Sequence, residues 1–265
     1  MLTQAWFDEA DAPLAVGNTY CSFTREYDDR KNIVRELYFG ADGNPIARNE
    51  GYDEIRQAFK EKAWPARIEY YLGGEPVLLA DGFASVERDY DSAGNVIWEK
   101  YFDTDGTSVL RKQGYGEIRR EFNEKKQIAF EAWFDADGAP MCMNGDVYYG
   151  IRREYDENGL QNVLKFLDAE GNPMCCRAGY EMVWRRFNEA KQVNYESYMR
   201  ADGTPMTNTL GVYQTTYDYD ENGRKIRELY FDVDGESMVS SEGFVAKEFV
   251  YGEDGAVIET RGIEP

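Results

Sequence analysis

The sequence contains no histidine and only four cysteines, and these shortages remove several classes of function. Histidine is the side chain that most often moves protons near neutral pH and most often binds metal ions, so serine–histidine and cysteine–histidine catalysis are excluded. The cysteines form no CxxC pair, which argues against a zinc ribbon or a thioredoxin-like motif. We expect free thiols, and we predict no catalytic residue, no metal site and no cofactor.

Basic residues are also scarce, with 30 against 50 acidic ones and a formal net charge of −20. Such a surface repels phosphate backbones, so nucleic acid is not an expected partner. The longest apolar runs are well short of a membrane-spanning segment, and we expect no membrane insertion. The segment Met1–Trp6 shows no basic region followed by an apolar core, so we expect no signal peptide.

What the sequence does contain is a repeat. An aromatic-aromatic-Asp-x-Asp-Gly-x-Pro segment recurs, as in WFDADGAP at 133–140, and a second segment such as REYDENGL at 153–160 lies about halfway between its copies. Both combine strand-forming aromatic residues with the turn-forming Asp, Asn and Gly. The glycines of the first segment lie 31 to 33 residues apart, at Gly43, Gly74, Gly106, Gly138, Gly171, Gly203 and Gly235.

Each unit of about 32 residues is predicted to be a β-hairpin with two turns, followed by a connector that ends at a Gly-aromatic step. One hairpin cannot bury enough surface by itself, so the units must stack. We therefore predict an all-β fold, an elongated solenoid of stacked β-hairpin repeats. Residues 1–265 form a single array of about eight units with atypical end copies. The helix-like segment Tyr52–Lys62 falls in register with the other strands and is predicted to be a strand.

Alignment of the units places an aromatic residue two positions before the first Asp of each second turn, and a glutamate two positions earlier in six of the eight units. These residues share one face of the strand. In one interpretation the aromatic rings fill the core while the glutamates pair with arginines of the first strand, at roughly 0.2–1 kcal/mol per pair. In the other, the rings are platforms for sugar rings beside carboxylates that accept hydrogen bonds from sugar hydroxyls.

The second interpretation predicts specific ligand-binding residues, and burial of their rings would exclude stacking. They are Tyr38, Tyr71, Tyr101, Trp133, Tyr198 and Tyr230, with Glu36, Glu99, Glu131, Glu196 and Glu228.

The Asp-rich turns raise the question of calcium. Asp135, Asp137 and Gly138 match the start of an oxygen-ligand loop, but the next ligand position is occupied by Ala139. A turn explains the segment better, and weak cation binding between stacked turns is the alternative.

The segments YFDTDG at 101–106 and WFDADGAPM at 133–141 resemble the YYFDxxGxM core of bacterial cell-wall-binding repeats. These are the choline-binding and glucan-binding hairpin repeats, related to the C-terminal repeats of clostridial toxins. This chain departs from that family in its longer period and in having Gly-Tyr or Gly-Phe where the family has Gly-Trp. The resemblance implies a hairpin solenoid on bacterial surfaces that binds choline or glycans between successive units.

We predict a non-catalytic binding array that recognises a polysaccharide, either a cell-wall or a host surface glycan, through repeated weak sites acting together. A bacterial cell-surface or secreted location is expected. The rival hypothesis is a structural spacer, an adhesin stalk or a protein–protein interaction module. A third hypothesis is an accessory region of an enzyme whose catalytic domain lies outside this chain.

Overall fold

A computed structural model describes residues 1–17, 20–60, 64–143 and 145–265. Within these ranges the chain forms strands and turns and no helix, and its eighteen strands belong to one open antiparallel sheet. The all-β prediction is confirmed. The chain divides into two compact units, one comprising Met1–Gln127 with Ala132–Asn144 and the other Ile128–Glu131 with Gly145–Pro265.

The strands of each unit follow the repeat. In the first unit they are β1 (Leu2–Ala5), β2 (Ser22–Tyr27), β3 (Ile33–Phe39), β4 (Glu54–Phe59), β5 (Pro65–Leu72), β6 (Glu75–Pro76), β7 (Ser85–Tyr90), β8 (Val96–Phe102) and β9 (Glu117–Phe122). Strand β10 (Ile128–Phe134) contributes residues to both units. In the second unit they are β11 (Gly150–Tyr155), β12 (Gln161–Leu167), β13 (Met182–Phe187), β14 (Val193–Met199), β15 (Gln214–Tyr219), β16 (Lys225–Phe231), β17 (Ala246–Tyr251) and β18 (Val257–Ile263).

Backbone pairing is long within a hairpin and short between hairpins. In the first unit, β2 pairs with β3 from Ser22 opposite Phe39 to Tyr27 opposite Ile33, with a bulge near the turn. Between hairpins, β3 and β4 pair only at Arg35–Leu37 with Glu54–Arg56. The second unit repeats this pattern, since β12 and β13 pair only at Val163–Lys165 with Met182–Trp184. The hairpin tips therefore extend beyond the backbone pairing that joins neighbouring hairpins.

Three turns of one kind shape most of the described repeats, although the sequence predicted two turns and a connector. In the first repeat the Asp28 N–H donates to the Asn32 carbonyl at 3.0 Å, and Gly40 N–H to Asn44 at 2.9 Å. The connector repeats the pattern, with Arg48 N–H donating to the Tyr52 carbonyl at 2.8 Å. The fourth turn residue has a left-handed backbone in each case, which favours glycine. These residues are Lys31 (φ 66°), Gly43 (φ 77°) and Gly51 (φ 97°).

The third turn folds the connector back over one face of the sheet, and its aromatic residue packs between two rings of the aromatic column. In the first unit the rings form a continuous series with centroids 4.8–6.2 Å apart, mostly at steep angles. Such edge-to-face contacts add to the free energy gained from burial. The series is Trp6, Tyr20, Tyr38, Tyr52, Tyr70, Phe83, Tyr101 and Tyr115.

The second unit has a shorter series of the same kind. Tyr148, Phe166, Tyr180 and Tyr198 follow one another with centroids 4.6–5.9 Å apart. At the next Gly-aromatic step the chain has Val212 instead, which is fully buried. The core of each unit is thus a row of side chains trapped between the sheet and its connectors.

The structure corrects the predicted register of β5. Ile55 lies opposite Tyr70, as Phe23 lies opposite Tyr38, so Tyr70 and not Tyr71 belongs to the aromatic column. In this repeat the second turn is shortened to two glycines, Gly73 and Gly74. Aligning the turns by sequence therefore shifted the assigned positions in β5 by one residue. Because strand side chains alternate, that slip moves Tyr71 to the opposite face of the sheet.

The helix-like segment Tyr52–Lys62 contains strand β4 at Glu54–Phe59, so the strand prediction is confirmed there. Its last residues, Glu61 and Lys62, lie outside the described residues.

The register of β5 can be tested by two neighbouring substitutions. We expect Tyr70→Ala to reduce the free energy of unfolding by about 3 kcal/mol, because it removes a ring from the core. Tyr71→Ala is expected to cost about 1 kcal/mol, the contribution of its contact with the Arg56 guanidinium, which lies 3.8 Å from the ring centroid. Urea unfolding of both variants measures the difference, and a larger loss for Tyr71→Ala would contradict this register.

Candidate functional site

The aromatic column predicted to bind sugars lies in the core. Tyr38, Tyr101, Trp133, Tyr198 and Tyr230 are between 1% and 6% exposed. Tyr71, the sixth predicted residue, is half-exposed but lies on the other face. A ring enclosed on both sides by connector side chains offers no face to a sugar, so the prediction of stacking platforms is wrong for the five buried residues.

Two arginines that the sequence analysis missed also cover this column. The Arg48 guanidinium lies 4.9 Å from the Tyr38 ring centroid and donates to the Tyr38 hydroxyl at 3.0 Å. Arg111 has the same relation to Tyr101, at 4.9 Å and 3.1 Å. A signal was present in the sequence, since Arg48 and Arg111 each stand three residues before a Gly-Tyr step.

The predicted carboxylates of the first unit are occupied by partners. Glu36 accepts hydrogen bonds from Arg25 and from the Tyr38 hydroxyl. Glu99 lies between Arg88 of its own hairpin, at 3.0 Å, and Arg120 of the next, at 2.8 Å.

The carboxylates of the second unit are occupied in the same way. Arg153 donates to Glu131 at 3.3 Å, and Lys225 pairs with Glu228. Glu196 accepts from Arg185 at 2.8 Å and from the Tyr217 hydroxyl at 2.7 Å. The structure thus places all five predicted glutamates in ion pairs. Four of them pair with arginines, as the first interpretation of these columns has it, and Glu228 pairs with a lysine of its own strand.

Their surroundings shift the pKa values of Glu99 and Tyr198 in opposite directions. Burial raises the pKa of the Glu99 carboxyl, but the hydrogen bond from Arg120 and the charges of Arg88 and Arg120 outweigh burial and leave it below its usual value. Burial, together with the charge of Glu196, raises the pKa of Tyr198 to about 12. The Glu99 carboxyl is therefore ionised and the Tyr198 phenol neutral at neutral pH.

Aspartates of the Asp-rich turns accept hydrogen bonds from backbone N–H groups of their own turn. Asp135 Oδ1 accepts from the N–H groups of Asp137 and Ala139, at 2.9 and 2.8 Å. Among the described residues, no group of three or more Cys, Asp or Glu side chains is arranged to hold a metal ion. No disulfide joins the four cysteines. The described part of the chain also has no helix that is both long and apolar enough to span a bilayer.

An open concavity of the second unit lies between two hairpin tips. It is a groove of about 530 Å³ between the β11–β12 tip and the β13–β14 tip. Amide and carboxylate side chains line it together with an indole ring. The lining includes Asp156, Asn158, Asn162, Trp184, Asn188 and Glu189.

A smaller groove in the first unit has a similar position. It has a volume of about 230 Å³ and lies between the β4–β5 and β7–β8 hairpins, where Phe59, Arg67, Glu87 and Trp98 line it. Both grooves therefore combine a tryptophan with charged or amide groups, and neither contains a residue that the sequence predicted to bind ligand.

On the face of the sheet opposite the aromatic column, arginines cover aromatic rings. Arg119 lies 4.0 Å from the Phe134 ring centroid, and Arg186 lies 3.9 Å from that of Tyr195. Near the edge of this face, Glu54 is buried and accepts from Arg35 at 2.7 and 2.9 Å and from Arg56 at 2.5 Å. This face carries alternating charges and guanidinium-covered rings.

Comparisons with known proteins give little beyond this geometry. No protein-family model matches the chain, and a search of the curated proteins found no match. A crystal structure of TcdB2-TccC3-TEV matches 93% of this chain at 11% identity with a TM-score of 0.33. A Tc holotoxin pore of Photorhabdus luminescens matches 94% at 11% identity with a TM-score of 0.30. The chain spans 14% of the length of each of those chains. The resemblance to cell-wall-binding repeats stays a prediction.

The structural role of the glutamate row can be tested by copying one hairpin onto another. Gln57 lies opposite Ile68 in β4–β5, where β7–β8 has Arg88 opposite Glu99. We expect Glu99→Ile to cost about 3 kcal/mol of unfolding free energy, because Arg88 and Arg120 lose their common partner. The double variant Glu99→Ile, Arg88→Gln should recover about 1 kcal/mol, because one unpaired charge is removed.

Urea unfolding of the wild type, both single variants and the double variant measures this coupling. Equal losses for Glu99→Ile and the double variant would show that Arg88 and Glu99 do not stabilise the fold as a pair.

Proposed function

We propose that the chain is a non-catalytic binding array, a solenoid of stacked hairpins, that binds a neutral, hydroxyl-rich polymer such as a cell-wall or host surface glycan. The observation that supports this function is the groove at the β11–β12 and β13–β14 tips, with its amides, carboxylates and Trp184 indole. Asn, Asp and Glu side chains can donate to or accept from sugar hydroxyls. An indole offers an apolar face with one polar edge.

The charges around this groove favour a neutral ligand. Asp156 and Glu189 are offset by Arg186 and Lys191, all of which line the groove. Arg185 also lines it, and its charge is paired with Glu196 at 2.8 Å. A strongly charged ligand would meet both signs of charge at short range, whereas a sugar ring needs no net charge to bind. The groove in the first unit offers a second, smaller place of the same type, so that weak sites on one polymer would act together. We expect a bacterial cell-surface or secreted location, where such polymers occur.

A glycan array followed by calorimetric titration tests this function. Wild type should bind at least one neutral polysaccharide, and Trp184→Ala should weaken binding at least about tenfold, or about 1.4 kcal/mol, by removing the indole face. Trp64→Ala replaces a half-buried tryptophan outside both grooves and should leave binding unchanged. An array without any bound glycan would overturn the proposed function.

A second candidate function, a protein-interaction module, is favoured by the face opposite the aromatic column. Arginine and aromatic residues are enriched in protein interfaces and in their energetic centres. Here Arg119 covers Phe134, and Arg186 covers Tyr195 and Trp184, with parts of these side chains exposed. A partner would bury these pairs without first having to order them, because each guanidinium is already held against a ring.

Affinity purification with matched variants tests this candidate. A protein that co-purifies with wild type should be lost with Arg119→Ala and kept with Arg200→Ala, whose side chain is exposed and pairs with Glu181. Retention of the protein by both variants would show that this face does not bind it.

A further inference from the structure

The aromatic residue at the end of each first strand alternates between tyrosine and phenylalanine. The residues are Tyr27, Phe59, Tyr90, Phe122, Tyr155, Phe187, Tyr219 and Tyr251. Only the last pair breaks the alternation. Because tyrosine and phenylalanine differ by one hydroxyl, the alternation affects only contacts that this hydroxyl makes.

The tyrosine hydroxyl joins the tips of neighbouring hairpins. Tyr155 donates to the Ile128 carbonyl at 2.8 Å, and Tyr219 to the Val193 carbonyl at 2.6 Å. Each acceptor is the first residue of the second strand in the preceding hairpin, as are the acceptors of Tyr90 and Tyr251. The hydroxyl therefore bonds a carbonyl that lies beyond the short backbone pairing between hairpins.

At the step between β11–β12 and β13–β14 this hydroxyl is missing. Phe187 occupies the tyrosine position, and the equivalent first residue of β12 is Gln161. Backbone pairing between β12 and β13 begins only at Val163. The groove of about 530 Å³ lies at this step, whereas the step closed by the Tyr90 hydroxyl has a groove of about 230 Å³.

The side chains around Phe187 suit a ligand that carries hydroxyl groups. Asp156 and Asn188 already accept hydrogen bonds from the N–H groups of their own turns, at 2.8 and 2.9 Å. The side-chain amides of Asn158 and Asn162, which also line the groove, are therefore the groups that can bind a ligand. The Oδ1 atom of Asn162 is buried and accepts no hydrogen bond from the described residues, so turning this amide toward the groove breaks none.

We propose that Phe187 leaves open a site for a sugar residue, whose hydroxyl donates to the Gln161 carbonyl in the place that a tyrosine hydroxyl takes at the neighbouring steps. The side-chain amides of Asn158 and Asn162 bind further hydroxyls, and the Trp184 ring forms part of the wall. The choice of a sugar as the ligand class rests on the proposed function. The position of the site, and the role of Phe187 in leaving it open, come from the geometry of the hairpin tips. At hairpin steps that carry tyrosine, the tyrosine hydroxyl occupies the equivalent carbonyl, so a sugar bound there would not make this hydrogen bond.

Phe187→Tyr tests this site. Five other hairpins carry tyrosine at the equivalent position, so the substitution fits the fold. We expect it to weaken binding of cellohexaose or chitohexaose at least tenfold in calorimetric titration, while the melting temperature rises or stays the same. Phe231→Tyr adds the same hydroxyl on the opposite face of the sheet and should leave binding unchanged. In nuclear magnetic resonance spectra, the wild-type side-chain amides of Asn158 and Asn162 should shift with added sugar.

Two results would overturn this site and leave the proposed function standing. One is unchanged sugar binding by Phe187→Tyr. The other is the absence of shifts at both amides while the wild type still binds sugar. Binding of 4-methylphenol at this groove in place of either sugar would overturn the sugar as ligand class. Failure of the whole glycan array, by contrast, would overturn the proposed function itself.

Discussion

The structure depends on the packing of connector aromatics between the rings of the aromatic column. A two-stranded hairpin by itself is at best marginally stable, and strand pairing joins neighbouring hairpins over only three residue pairs, as at β3–β4 and β12–β13. The rings of Tyr38, Tyr52 and Tyr70 bridge that gap, because each contacts the next at centroid distances of 5.0–6.2 Å. The third turn makes this packing possible, since it brings every connector back over the sheet.

The charges follow from the same arrangement. A chain with a formal net charge of −20 that buries glutamates must give each a partner, because an unpaired buried carboxylate is costly. Glu99 has Arg88 and Arg120, and Glu54 has Arg35 and Arg56. Arg120 and Arg35 belong to neighbouring hairpins, so these two arginines join hairpins as well as neutralising charge. The residues that recur most regularly are therefore the ones whose side chains are buried or paired within the fold.

The proposed sugar site rests on a position that differs between repeats. The column of tyrosines and glutamates looks like a binding site in the sequence because it repeats, yet its rings are buried and its carboxylates are paired. Phe187 attracts no attention in the sequence, since phenylalanine and tyrosine fill the same column. Its missing hydroxyl matters only because the structure shows where the hydroxyls of Tyr155 and Tyr219 bind.

The sequence by itself determined the repeat, the strands and two of the three turns, because alternation of side chains and the preferences of Asp, Asn and Gly act over a few residues. It also contained the arginine–glutamate pairing as one of two interpretations. It could not determine the register of β5, since a shortened turn shifts alignment by one residue and exchanges Tyr70 with Tyr71. Only the tertiary structure decided which rings are covered and where a groove remains. Both depend on how the connectors and the hairpin tips meet, and those contacts join residues that are distant along the chain, such as Tyr155 and Ile128, which are 27 positions apart.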